Sequence, residues 1–134
     1  MFFDGNNIYF EYNSHDNIRN TTLHEYEEGF NKGNMFKNIY SKYKNHVYKL
    51  KVNTNKDDLL YKVQMYTFIL KDLGLYLDVH PNDEDVFNKF TDVKKRLKTV
   101  KDKYDNVYGP LCLESTSDEK YNYINNPWPW DKGE

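Results

Sequence analysis

"DDLLYKVQMYTFILKDLGLYLDVHPND", residues 57–83, decides the fold. Within it Leu59, Val63, Tyr66, Leu70, Leu73 and Leu77 recur at alternating spacings of four and three, which puts them on one side of a helix. Asp57 and Asp58 stand at its start, where carboxylates suit the positive end of the helix dipole. The rhythm breaks at "VHPND", because the residue before a proline avoids the α region. It resumes at Val86, Phe90, Val93, Leu97, Val100, Tyr104 and Val107, with lysines and Arg96 filling most of the positions between. Asn82 is the N-cap expected for this second helix, with Asp85 as a capping-box partner. "YGPL" ends it: Gly109 and Pro110 follow Tyr108. Two long helices joined by so short a connection fold back on each other. The expected fold is all-α, an antiparallel hairpin of about residues 57–79 and 83–107.

The first helix carries a second apolar stripe, Tyr61, Met65, Phe68, Leu75 and Val79, interrupted by Asp72. One partner helix covers only one side, so the second stripe needs a cover of its own. The chain offers its N-terminal region, its C-terminal tail or another molecule. If that stripe is covered, the Asp72 carboxylate needs a donor, since a buried charge without one is costly. A lysine from residues 31–56 or a tail indole N–H would serve. If it is not covered, Asp72 marks a gap where the helix meets water.

Residues 1–56 read as a largely irregular region, and residues 57–134 as the hairpin plus tail. In the first part, Thr22 and Glu25 have capping-box spacing, and Gly29 and Gly33 interrupt any long helix. Short helical turns bearing Phe30, Met35, Phe36 and Tyr40 are expected there. The tail, "NNPWPWDKGE", holds the only two tryptophans, Trp128 and Trp130, alternating with Pro127 and Pro129. Proline neither continues a helix nor donates to a sheet, so the tail is expected to be extended.

The chain contains no alanine and thirteen tyrosines, and its net charge is −2. No overall basic field draws a polyanion, so nucleic acid is not an expected partner. Charge is nonetheless blocked: residues 1–30 hold six acids against Arg19, and residues 31–56 hold seven lysines and no acid. Such blocks are solvated faces or docking surfaces. No stretch approaches the roughly 20 apolar residues of a membrane span. Cys112 is the single cysteine, which rules out an intrachain disulfide and any CxxC site.

Little in the sequence carries chemistry. Neither HExxH nor a phosphate-cradling glycine loop occurs, and no catalytic residue, metal ligand or cofactor is expected. Asp78, His80 and Asp83 gather at the turn and could hold a cation. The plainer reading is that Asp78, His80, Pro81, Asn82 and Asp83 shape the turn and cap its helices, as Tyr108, Gly109 and Pro110 close the second helix.

"FILKDLGLYLDVHPNDEDVFNKFTDVKKRLKTVKDKYDNVYGPL", residues 68–111, followed by "NPWPWDKGE", resembles the CotJB family of bacterial endospore coat proteins. LYLD-x-HPND, YGPL and PWPW occur in the family's order. The sequence departs from the pattern at Asn126, where the family usually has glycine, and at "ESTSDEKYNYIN", which replaces a glycine- and tyrosine-rich stretch. "EYEEGFNKGNMFKNIYSKYK", residues 25–44, is similar to part of the small companion coat protein CotJA, so that residues 22–48 would be a fused CotJA-like piece.

The resemblance implies a non-enzymatic spore-coat component, assembled around the forespore from the mother-cell cytoplasm. Its implied partners are other coat proteins, of the CotJA type and of the manganese-catalase-like CotJC type. A di-manganese site would belong to the partner, because this chain lacks the paired Glu-x-x-His motifs such a site requires. Partner binding is expected from Trp128, Trp130, Pro127 and Pro129, with Phe68, Asp72, Leu75 and Tyr76 of the first helix. The tail closes onto that helix or inserts into a neighbouring subunit, and self-association remains open. The alternative function is a small helical adaptor unconnected with spores.

Overall fold

A computed structural model describes residues 22–37 and 47–125 of the 134-residue chain. Three α-helices lie in this part: α1 (Tyr26–Lys32), α2 (Asn55–Val79) and α3 (Glu84–Tyr108). Among the described residues there is no strand, only a single antiparallel bridge between Leu23 and Phe36. The expected all-α fold and its hairpin are present. Lys56 Nζ lies 5.7 Å from the Tyr108 ring centroid, so the start of α2 meets the end of α3, as an antiparallel pair requires.

The capping chemistry sets the helix limits. Thr54 Oγ1 accepts the Asp57 N–H at 3.1 Å, and Asp57 Oδ2 accepts the Thr54 N–H at 3.1 Å, a reciprocal capping box that starts α2 at Asn55. α2 ends at Val79, with the His80 N–H bonded to the Tyr76 carbonyl at 2.9 Å. For α3 the N-cap is Asp83, not Asn82. Asp83 Oδ1 accepts the Val86 N–H at 3.1 Å, while Asn82 stays exposed in the turn. Asp85 therefore falls one position short of closing a capping box, and the residue at that place, Val86, has nothing to reach back with. Gly109 caps the far end of α3, and the Leu111 N–H bonds Asp105 Oδ1 at 3.0 Å.

The buried line of α2 is Tyr61, Met65, Ile69 and Leu73. It runs between the two expected stripes and includes Ile69, which neither contained. The cause is that α2 is covered from two adjoining directions, so its most buried side bisects them. Of the expected seam, Leu73 is fully buried, whereas Tyr66, Leu70 and Leu77 pack against the core at its edge. α3 contributes Val86, Val93 and Tyr104. Val107 does not join them and is 66% exposed. Tyr104 and Tyr108, 5.3 Å apart and one turn from each other, take the inward line of the last turn instead.

The second cover is the N-terminal segment. α1 starts at Tyr26 without a side-chain cap, and Thr22 acts through its backbone: its carbonyl accepts the Lys37 N–H at 3.0 Å, as the His24 N–H donates to the Met35 carbonyl at 2.8 Å. Gly29 does not break α1 but lies inside it, and Gly33, at φ 73°, ends it in the left-handed conformation glycine adopts freely. The chain then turns so that Met35 and Phe36 enter the core, 0% and 4% exposed. Phe30 packs between Tyr61 (5.4 Å) and Phe68 (5.7 Å). This cover extends along α2 to Tyr76, whose ring meets Phe36 at 4.8 Å. Leu75 and Val79, expected on the covered stripe, are each 58% exposed. Tyr40 lies outside the described residues.

Gly29 leaves no room for a side chain. A Cβ there would collide with Met35 Sδ and stand 3.3 Å from the Asn34 carbonyl oxygen. Gly29→Ala should cost about 1–3 kcal/mol, as overpacked cores do, seen as a lowered thermal midpoint by circular dichroism. The two turn residues separate equally well. Asp83→Ala should cost about 1–2 kcal/mol by removing the cap, whereas Asn82→Ala should stay within about 0.5 kcal/mol of wild type. Equal effects would contradict the assignment of the cap to Asp83.

Candidate partner-docking surface

The α2 side chains expected to meet a partner are mostly engaged with the chain's own N-terminal segment. Asp72 Oδ2 accepts the Met35 backbone N–H at 2.9 Å. The donor is thus the main chain, neither a lysine nor an indole. Burial pushes the Asp72 carboxyl above its ordinary value, and the Met35 hydrogen bond pulls it partly back. Phe68 supports Phe30. The Tyr76 hydroxyl donates to Asp83 Oδ2 at 2.8 Å, and its ring lies against Phe36 and against His80, at 4.6 Å. Of this set only Leu75 faces outward.

The turn residues fall into structural places. Asp83 divides its carboxylate between the Val86 N–H and the Tyr76 hydroxyl. His80 caps α2, Pro81 and Asn82 form the exposed turn, and Asp78 points to solvent. Among the described residues, no three His, Cys, Asp or Glu side chains come together as a metal site. Tyr108 and Gly109 close α3 and Pro110 is buried behind them. Pro127, Trp128, Pro129 and Trp130 lie outside the described residues.

A second tie to the N-terminal segment was not foreseen. The Tyr26 hydroxyl donates to Asp92 Oδ2 at 2.6 Å, and Arg96 Nε donates to the same oxygen at 2.8 Å. Lys89 Nζ and the Arg96 guanidinium lie 4.8 Å and 5.4 Å from the Tyr26 ring centroid. Burial, with the Asp92 bond behind it, pushes the Tyr26 hydroxyl far up, while that bond holds the Asp92 carboxyl below its usual range. The sequence signals only the Asp92–Arg96 spacing of four. Nothing local announces that Tyr26, 66 residues away, completes the group.

Apolar surface stays open at the turn end of the hairpin, as it also does at Val107, Leu113, Tyr121 and Ile124 toward the other end. Leu75 and Val79 project from the last turns of α2, and Phe87, 53% exposed, from the first turn of α3. Phe87 stacks on Phe90 at 6.5 Å, and Phe90 in turn fills the space beside Gly74. Cys112 is half-buried near the other end. Its Sγ is 3.2 Å from Ser115 Oγ, and the Lys101 amine holds its thiol below the ordinary value.

A protein-family model described as CotJB protein matches residues 57–131. The match takes in α2, the turn, α3 and the segment carrying both tryptophans. No curated protein and no solved structure matches the chain. No helix among the described residues is long and apolar enough to cross a membrane.

The raised Asp72 value has a signed consequence for stability. A carboxyl that holds its proton more tightly folded than unfolded favours the fold below the unfolded value and loses that contribution as pH rises through the folded one. Asp72→Asn keeps an acceptor for the Met35 N–H and removes the ionisation. Its thermal midpoint relative to wild type should therefore rise between the ordinary carboxylate range and neutrality. Asp72→Leu strands the Met35 N–H and should cost about 1–3 kcal/mol at neutral pH. A pH-independent difference between wild type and Asp72→Asn would contradict the burial argument.

Proposed function

The chain belongs to the CotJB family, a family of spore-coat proteins, and from that premise we propose that it is a structural, non-enzymatic coat component that binds other coat proteins. The observation that carries the reading is the family match over residues 57–131, which spans nearly all of the hairpin and both tryptophans. The exposed apolar end of the hairpin supports it. Leu75, Val79 and Phe87 are large apolar side chains left in water by their own fold, the kind of surface that partner contacts use. The partner best suited to the coat assignment is the manganese-catalase-like coat protein, with assembly from the mother-cell cytoplasm. The likeness of residues 25–44 to the CotJA companion supports a further point: α1 and Met35 cover α2 from within the chain, where a separate companion would otherwise have to bind.

Co-purification of the full chain with the catalase-like coat protein of the same organism tests this reading. The complex should form, and Leu75→Asp with Phe87→Asp should weaken it by at least about tenfold, or about 1.4 kcal/mol. The same double variant should melt within about 1 kcal/mol of wild type, since both side chains are exposed. Absence of the protein from purified mature spore coats would end the reading.

A further inference from the structure

Before α2 the chain runs from Val47 to Asn53 without helix, turn or bend. Residues 47–52 read V-Y-K-L-K-V. In an extended chain Tyr48, Leu50 and Val52 share one face, and Lys49 and Lys51 the other. Leu50 packs against the core, but Tyr48 and Val52 remain 67% and 43% exposed. Among the described residues one backbone–backbone bond holds the segment, from the Tyr48 N–H to the Asn31 carbonyl at 2.8 Å, and the Asn53 N–H at its end bonds Asp57 Oδ2 at 3.3 Å. The N–H groups of Lys49, Leu50, Lys51 and Val52 have no protein partner among the described residues. Alongside lies an open groove of about 640 Å³, walled by this segment, by Glu27 of α1, which pairs with Lys49, and by Asp58, Tyr61, Lys62 and Met65 of α2. A straight stretch with a half-covered apolar face and an unpaired backbone is an acceptor for a second strand.

The sequence of residues 126–134 fits that acceptor. In an extended strand, residues two apart present their backbone groups to the same edge. Trp128 and Trp130 therefore offer N–H and C=O groups along one edge, while Pro127 and Pro129, which have no N–H, occupy the other. Such a segment pairs on one side only and closes a sheet. Its indoles fall on one face, with a large apolar area and a polar N–H each. Asp131 and Glu134 follow, complementary to Lys51, which has no ion pair among the described residues. The hairpin supplies the proximity. Lys56 lies over the Tyr108 ring, so the chain leaves α3 at the end of the bundle where residues 47–53 enter α2. Trp128 is twenty residues beyond Tyr108, a tether that keeps the tail at about millimolar effective concentration.

We propose that the groove between residues 47–53 and the first turns of α2 is the docking site of the chain's own C-terminal segment 126–134, which adds as an edge strand and buries Trp128 and Trp130 against Tyr48, Val52 and Met65. The docking is independent of the coat assignment, because its test uses the purified full chain alone.

Trp128 and Trp130 are the only tryptophans, so intrinsic fluorescence reads the tail directly. In the full chain, emission should be blue-shifted and collisional quenching reduced by about threefold relative to a peptide of residues 121–134, as for indoles withdrawn from water. Val52→Glu charges the groove and Lys51→Pro removes a strand donor. Each should return quenching to the peptide value while circular dichroism holds the helical signal unchanged. Peptide-like emission from the wild-type chain would overturn the proposal, as would protected emission insensitive to both variants. Protection that grows with concentration alongside self-association in sedimentation would also overturn it, by making a neighbour's tail the occupant.

Discussion

The hydrogen bond from the Met35 N–H to Asp72 is the contact on which the rest of the arrangement turns. A two-helix hairpin buries one side of each helix, and α2 is apolar on more than one side. The third layer has to be held against α2 by something with direction, because hydrophobic contact alone does not fix which residues of a short segment face inward. A partly buried carboxylate supplies that direction. It needs a donor, and the turn after Gly33 brings the Met35 main-chain N–H to it, with the Met35 and Phe36 side chains in the core. Gly29 completes the arrangement by having no side chain where Met35 must lie.

The same segment is tied to α3 through Tyr26, Asp92 and Arg96. α1 has seven residues and no side-chain N-cap, too short to persist as an isolated helix. Its order is therefore borrowed from contacts with both long helices. Conversely, the hairpin gains from α1 the cover for Phe68 and Tyr61 that α3 cannot reach. The two halves of the described chain are mutually dependent, although the family match begins only at residue 57.

The hairpin was legible because its information is local: spacings of three and four, acids at the helix starts, His-Pro at the turn and Gly-Pro after Tyr108. The exact inward face of α2 was not. Two overlapping stripes in the sequence are two approach directions in space, and Ile69, midway between them, is fully buried, as is Leu73. Gly29 misled for a related reason: its value lies in a contact with Met35, which helix propensity does not contain. Asp72 called for a donor only if its stripe was covered, which the sequence left open, and a backbone N–H has no sequence signature, so both the cover and the donor's identity had to come from the fold. The Tyr26–Asp92 bond, with 66 residues between its partners, had no local signal at all.

The two ends of the bundle consequently differ in kind. At the turn end, the N-terminal cover stops at Tyr76 and leaves Leu75, Val79 and Phe87 as side chains without a backbone to pair, a surface suited to packing against another folded body. At the open end, the N–H groups of Lys49 to Val52, without a protein partner among the described residues, lie beside a groove, a surface suited to an extended chain.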